Sequence, residues 1–277
     1  MINFWKKKKY INNFELLDEI GSGGMGTIYK AMNMINKKEI VAIKILKNEL
    51  FNDEKNRKRF KQEAVIIDQL DHPNIVKIIE RGISNNNLYM IMELLEGKTL
   101  SEIIIGNKII LFDDIIHIMK QVLDAVEKVH KKNIIHRDIK PDNVMLIRKN
   151  GDDKFVKLLD FGLATMEYQT RLTQTGMVVG TINYMAPEQI TESITSKATD
   201  IYSLGVMLYE MVAGRRPYAG ESTIALMKQI IDENPIEPIK FRIDISKRLN
   251  DLIVKMMNKD SSKRPTLSEI IDTINTL

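Results

Sequence analysis

Between Phe14 and Glu93 the apolar residues fall mostly in short runs separated by turn formers, a pattern of strands rather than helices. Phe14 to Ile20, Thr27 to Met32 and Ile40 to Leu46 are three such runs. Ile75 to Gly82 and Leu88 to Glu93 predict a hairpin about Asn85, Asn86 and Asn87. One helix interrupts the strands over 54–70, where Phe60, Ala64, Ile67 and Leu70 recur at the spacing of a single buried face. After Gly97 the period lengthens. Ile115, Met119, Val122, Val126 and Val129 predict an amphipathic helix. Val144 to Ile147 and Phe155 to Leu158 flank Asn150-Gly151 as a second hairpin. Thr199 to Ala213 is apolar on nearly all sides and meets Gly214, which predicts a buried helix with a glycine cap. The pattern therefore predicts an α+β chain: a basic tail over 1–10, a small β-rich lobe over 11–93 and a larger α-helical lobe over 97–277. The lobes join near Glu93 to Gly97, and ligands favour such seams.

Composition narrows this picture mainly by exclusion. The 277 residues are 44% hydrophobic and 28% charged with a net charge of +4, ordinary values for a globular chain. No apolar run reaches the roughly 18 residues of a membrane span, and no apolar stretch follows the basic N-terminus as a secretory signal would require. With no cysteine, disulfides, thiolate catalysis and cysteine-ligated metals drop out. These features fit a cytoplasmic protein or the cytoplasmic domain of a longer membrane protein. Lys6 to Lys9 reads as a solvated tail, with anionic lipid as the alternative. No metal-finger spacing or basic stripe interleaved with aromatics points to nucleic acid.

The candidate chemistry begins with Gly21-Ser22-Gly23-Gly24-Met25-Gly26, a G-x-G-x-x-G. Alone it is weak, because the same spacing opens dinucleotide-binding folds, where the loop runs from strand into helix. Here β-prone runs lie on both sides, which favours a glycine hairpin whose backbone N–H groups approach phosphates; a merely flexible turn is the bland alternative. In Val41-Ala42-Ile43-Lys44, alternation puts Ala42 and Lys44 on one face of a strand and Val41, Ile43 and Ile45 on the other. An ammonium in so apolar a segment needs an anion, and Glu63 on the predicted helix is the best candidate.

The strongest block is His136-Arg137-Asp138-Ile139-Lys140-Pro141-Asp142-Asn143. Asp138 can accept the proton of an attacking hydroxyl, Asn143 can ligate a divalent cation through its amide oxygen, and Lys140 can neutralise charge on a transferred phosphoryl group. Downstream stand Asp160-Phe161-Gly162 and Ala186-Pro187-Glu188. In this order, over nearly the whole chain, these blocks resemble the protein kinase family, and in particular bacterial serine/threonine kinase domains.

The resemblance implies a two-lobed kinase fold and a non-specific protein serine/threonine kinase that uses ATP with Mg²⁺, or Mn²⁺ in its place. By the same resemblance Gly21, Gly23 and Gly26 cover the phosphates, and Lys44, paired to Glu63, binds them. Asp138 is the catalytic base with Lys140 beside it, and Asn143 and Asp160 hold the metal. Ile20, Ile28 and Ala42 roof the adenine, Met145 floors it, Met92 lies behind it, and Glu93 and Leu95 bond it through their backbone. Thr173 and Thr175, among Thr165, Thr170 and these two in the segment after Gly162, resemble paired autophosphorylation sites that would engage Arg137, and self-association would serve that step. Lys140 and Gly180-Thr181 favour serine/threonine over tyrosine specificity. Thr181 is expected to bond toward Asp138 and Lys140, Glu188 to pair with Arg264, and Asp200 to brace the catalytic loop. His136 is expected to pack and hydrogen-bond rather than to transfer protons. The rival readings are a pseudokinase-type ATP-binding scaffold, a small-molecule kinase lacking protein-docking elements, and a dinucleotide-dependent oxidoreductase. The partners implied are protein substrates.

Overall fold

The structure, a computed structural model, describes residues 9–23, 26–46, 54, 58, 70–84, 87–106, 110–160 and 182–277. The chain divides into two compact units, one of Met1–Asp71 with Val76–Glu96 and the other of His72–Ile75 with Gly97–Leu277.

The first unit is built on a six-stranded antiparallel sheet of β1 (Lys9–Ile11), β2 (Phe14–Ser22), β3 (Gly26–Asn33), β4 (Ile40–Leu46), β5 (Ile78–Ser84) and β6 (Asn87–Glu93), in the order β1-β2-β3-β4-β6-β5. β4 has the bounds its apolar run predicts, and β2, β3 and β6 lie within two residues of theirs. β5 starts later than expected, at Ile78, and Ile75 belongs instead to the second unit, where it is bridged to Leu158. β1 takes Lys9 and Tyr10 out of the segment expected as a tail: Ile11, 2% exposed, anchors the strand to β2 and outweighs the lysine. Of the helix expected over 54–70, residues 55–57 and 59–69 lie outside the described residues.

One face of the sheet is a core of Ile11, Phe14, Ala31, Val41, Ile43, Tyr89 and Ile91, with Leu16 and Ile45 packed against it. Burying these side chains stabilises the sheet by about 1.5–3 kcal/mol for each large one. The turn between β1 and β2 is fastened to the same unit's far strands: Asn12, at a φ of +49°, donates to Tyr89 Oη, which donates in turn to Glu80. Ala42 and Lys44 leave the core and share the opposite face, as alternation requires.

The second unit carries a three-stranded sheet of β7 (Gly97–Thr99), β8 (Val144–Lys149) and β9 (Asp152–Leu158). β8 and β9 are the expected hairpin; β7 is too short and polar to read from the sequence, and pairing with β8 makes it a strand. His72–Ile75 docks on β9, where Asn74 donates to Val156 O and accepts from Leu158 N. Helices complete the unit: α1 (Leu100–Gly106), α2 (Phe112–Lys131), α3 (Pro187–Thr191), α4 (Lys197–Ala213), α5 (Thr223–Asp232), α6 (Lys247–Met256) and α7 (Leu267–Asn275). α2 buries the Ile115, Met119, Val122, Val126 and Val129 stripe, with Asp113 and Asp114 in its first turn and Lys128 and Lys131 in its last, both favourable to its dipole.

α4 is buried from Thr199 to Val212 and stops at Gly214, whose φ of +65° lets its N–H cap the Glu210 carbonyl. Among the described residues no helix is long and apolar enough to cross a membrane.

Candidate active site

Each unit contributes its own group of candidate residues. In the first, β2 and β3 form a hairpin across the glycine loop: Ser22 opposes Thr27, Gly21 opposes Ile28, and Gly23 N donates to Gly26 O at 2.9 Å. A strand, not a helix, follows Gly26, which removes the dinucleotide reading. Gly26 cannot carry a side chain, because a Cβ there would stand 2.6 Å from the Ile45 carbonyl oxygen, whereas nothing lies within 4 Å of a Cβ on Gly23.

The cross-strand register brings the expected nucleotide-side residues onto one face. Ile28 opposes Lys44 and Met92 opposes Ala42, and directly opposed residues point the same way. Lys44 is 7% exposed on this face, so its ammonium is largely removed from water. Ile20 is half exposed at the end of the same hairpin arm, and Glu93 ends β6 with Leu95 just beyond it, Glu93 Oε1 accepting from Lys77 N. Glu63 lies outside the described residues.

In the second unit the loop after α2 is held from below by one carboxylate. Asp200, 1% exposed on α4, accepts His136 N on Oδ2 and Arg137 N on Oδ1, both at 2.9 Å, and its Oδ2 also meets His130 Nε2 at 2.8 Å. The bracing by Asp200 follows the sequence reading; the third bond, from His130, does not. Arg137 takes a φ of +70° and Asp160 one of +26°, left-handed conformations that cost non-glycine residues free energy and that the surrounding bonds sustain.

His136 is fully buried. Its Nε2 lies 3.2 Å from the Leu159 carbonyl, to which only a protonated nitrogen can donate, and its Nδ1 accepts from Asp138 N at 3.4 Å. Both nitrogens are thus used on backbone. Burial lowers its pKa, outweighing the opposing pull of Asp200 and Asp138, so the ring is a neutral structural bridge.

Above this bridge stands the candidate base, Asp138. Lys140 Nζ donates to both Asp138 oxygens, at 3.0 and 2.8 Å, and Asn143 Nδ2 donates to Asp138 O at 2.8 Å and Oδ2 at 2.9 Å. The amide nitrogen of Asn143 is therefore spent inside the loop, which leaves its oxygen as the donor for an outside ligand. Leu159 N donates to Asn143 O at 2.8 Å, so the residue preceding Asp160 is fastened to Asn143. An amide oxygen and a carboxylate tethered in this way suit Mg²⁺, which takes few protein ligands and completes its shell with phosphate oxygens and water. Met145 follows on β8, half-buried opposite Lys157.

Glu188 and Arg264 pair as expected, through two bonds of 2.7 Å with the arginine side chain at 0% exposure. Phe161, Gly162, Thr165, Thr170, Thr173, Thr175, Gly180 and Thr181 lie outside the described residues. The pairing of Asp138 with Lys140 and Asn143 was not legible in the sequence, although their spacing of two and five residues on a loop allows it.

A β-rich unit followed by a helical one, with a carboxylate, a lysine and an amide on a loop braced from a buried helix, defines a protein kinase fold. The chain belongs to the protein kinase domain family, whose sequence profile matches residues 14–274. It is 40% identical over 262 residues to a probable serine/threonine-protein kinase of Clostridium perfringens, covering 94% of this chain and 37% of that one. It is 35% identical over 263 residues to the serine/threonine-protein kinase PrkC of Bacillus subtilis, covering 95% and 40%. The chain thus spans about two fifths of the length of these curated relatives. Among solved structures, that of Rad53 1–466 in complex with AMP-PNP matches with a TM-score of 0.77 at 27% identity, over 94% of this chain and 64% of that one.

Proposed function

We propose that this chain transfers the γ-phosphoryl group of ATP to serine or threonine hydroxyls of proteins. The observation that carries the reading is the Asp138 carboxylate, fixed by Lys140 and Asn143 on a loop that Asp200 holds to the buried α4. The serine/threonine kinase names of the relatives and the ATP analogue in the Rad53 complex support it.

Phosphoryl transfer proceeds through a loose transition state with charge spread over the equatorial oxygens, so positioning and electrostatics dominate. Asp138 orients the attacking hydroxyl and accepts its proton. Lys140, already on that carboxylate, counters the charge gathering on the transferred group. Lys44, with Glu63, binds the α- and β-phosphates, and the backbone of Gly21, Gly23 and Gly26 covers them. Ile20, Ile28, Ala42, Met92 and Met145 take the adenine, with Glu93 and Leu95 bonding it through their backbone. Mg²⁺, or Mn²⁺, held by Asn143 and Asp160, supplies further positive charge to the phosphates when bound. Autophosphorylation at Thr173 and Thr175, with self-association of the chain, follows from the same reading.

The test is mass spectrometry after incubation with Mg·ATP and a serine/threonine peptide, beside an Asp138→Asn control. Phosphate on the peptide and on the threonine segment with the parent, and loss of about 100-fold or more in rate with the control, is the expected result. A control that turns over at the parental rate removes Asp138 from its role, and a parent that consumes no ATP turns the reading toward a pseudokinase scaffold.

A further inference from the structure

Tyr184, two residues before Ala186-Pro187-Glu188, is tied to α4 twice: Ser203 Oγ donates to its carbonyl at 2.8 Å, and its own hydroxyl donates to Glu210 Oε2 at 2.5 Å. Burial and the Glu210 charge both push the Tyr184 hydroxyl up, so it remains a donor. The other oxygen of Glu210 accepts Arg216 Nε at 3.3 Å, and the guanidinium lies 5.9 Å from the centre of the Tyr184 ring. Glu210 is 7% exposed, while the Arg216 side chain keeps 43% of its surface. Each carboxylate oxygen of Glu210 therefore has a donor, and the Arg216 side chain, which also interacts with the Tyr184 hydroxyl, stays partly at the surface. Arg215 beside it is exposed and stacks on Phe241 at 4.8 Å. Among the described residues no carboxylate lies within ion-pair distance of Arg215, so of these two adjacent arginines only Arg216 has a carboxylate partner there.

The same helix carries the supports of both the Asp138 loop and this cation. Asp200 holds the loop of Asp138, and Glu210 stands ten residues further along α4, about 15 Å at the rise of a helix. An extended peptide covers that span in about four or five residues.

We infer that Arg216, seated by Glu210 and Tyr184 and with Arg215 beside it, is a specificity-determining residue that receives an acidic side chain of the protein substrate a few residues from the acceptor hydroxyl. The inference rests on the phosphoryl-transfer reading for what the bound segment is used for. A basic substrate residue docking on Glu210 is the competing reading, and the burial of that carboxylate, with Arg216 already on it, argues against it. Arginine suits the role because its planar fork can keep one edge on Glu210 and offer the other to an incoming carboxylate.

Two peptide series that differ only in Glu, Gln or Lys at the third to sixth positions on either side of one acceptor threonine test this. Phosphorylation rates and fluorescence anisotropy of the labelled peptides are read at low salt, with the parent, Arg216→Gln and Arg215→Gln. The expected result is a preference of about fivefold for Glu over Gln at one of these positions, carried by KM and by binding, weakening with salt. Arg216→Gln brings the ratio to about one, and Arg215→Gln reduces it. A merely structural Arg216 lowers activity on both peptides alike and leaves the ratio in place, which overturns the inference, as does a parent ratio of one or a preference for Lys. If no peptide is phosphorylated, the kinase reading fails, while anisotropy still decides whether the acidic peptide binds through Arg216.

Discussion

The Arg264–Glu188 pair offers the sharpest quantitative test of how this fold is held. The Arg264 side chain is fully buried and Glu188 retains 12% exposure. Two parallel 2.7 Å bonds join them, Arg264 also donates to Ala198 O and Asn258 O, and its guanidinium lies 5.0 Å from the Tyr202 ring centre. Removing one member of such a pair strands a buried charge and costs about 3–5 kcal/mol. Arg264→Met is the stronger perturbation, because it strands the carboxylate and also leaves the Ala198 and Asn258 carbonyls without this donor. A loss of about 3–5 kcal/mol should appear as a fall of roughly 6–20 °C in Tm for a domain of this size.

Glu188→Gln keeps the shape and weakens two charge-assisted bonds, for a smaller loss of about 2–3 kcal/mol. Burial alone would raise the Glu188 carboxyl, but the hydrogen bonds and charge of Arg264 more than offset this and hold it below the ordinary value of 4.5. A carboxyl lowered by folding contributes stability that is present above its unfolded pKa and lost as pH falls through its folded one. The gap between parent and Glu188→Gln should therefore be constant from pH 7 to about 5 and narrow below pH 4.5. Thermal and urea unfolding followed by circular dichroism measure both effects. An Arg264→Met protein within 1 kcal/mol of the parent, or a gap as wide at pH 3 as at pH 7, would refute the reasoning.

Two further outcomes follow from the first unit. Lys44→Met fills a similar volume on the buried face of β4, so the fold should survive with its circular dichroism unchanged. Phosphoryl transfer should fall by about 100-fold or more, as expected when a donor to developing charge is removed; near-parental turnover would release Lys44 from the phosphates. Gly26→Ala forces a Cβ against the Ile45 carbonyl at 2.6 Å and should cost about 1–3 kcal/mol in unfolding experiments, whereas Gly23→Ala, with nothing within 4 Å, should change stability by no more than about 0.5 kcal/mol. Equal effects at the two glycines would mean that the hairpin yields where the register says it cannot.

Much of the secondary structure was legible because periodicity records burial directly. The Ile115 to Val129 stripe, the all-round apolar run ending at Gly214 and the β4 segment each formed the element their spacing predicts. β1 and β7 were not legible, since each has three residues and owes its existence to a partner strand rather than to a pattern of its own. The candidate site residues stood out as motifs: Asp138, Lys140, Asn143 and Asp160 are polar and sit in or beside loops rather than in the periodic core. Their supports were harder to see. Asp200 could be anticipated from the family resemblance, but His130, Tyr184 and Glu210 lie far apart in the chain and carry no spacing signal in a single sequence.

What joins these supports is the chemistry of a buried helix. α4 could have been wholly apolar, yet it keeps Asp200, Ser203 and Glu210 at 1%, 4% and 7% exposure. Each would be costly to bury unpaired. Each is instead spent on a loop: Asp200 on the His136 and Arg137 amides, Ser203 on the Tyr184 carbonyl, Glu210 on the Tyr184 hydroxyl and Arg216. Loops carry no periodic packing to fix their conformation, and Arg137 is held at a φ that an isolated arginine would rarely adopt. The helix therefore converts the rigidity of the core into the geometry of the segments that carry the candidate site. It follows that the polar positions of α4 should be read as part of the candidate site, although they act on it only through the loops they hold.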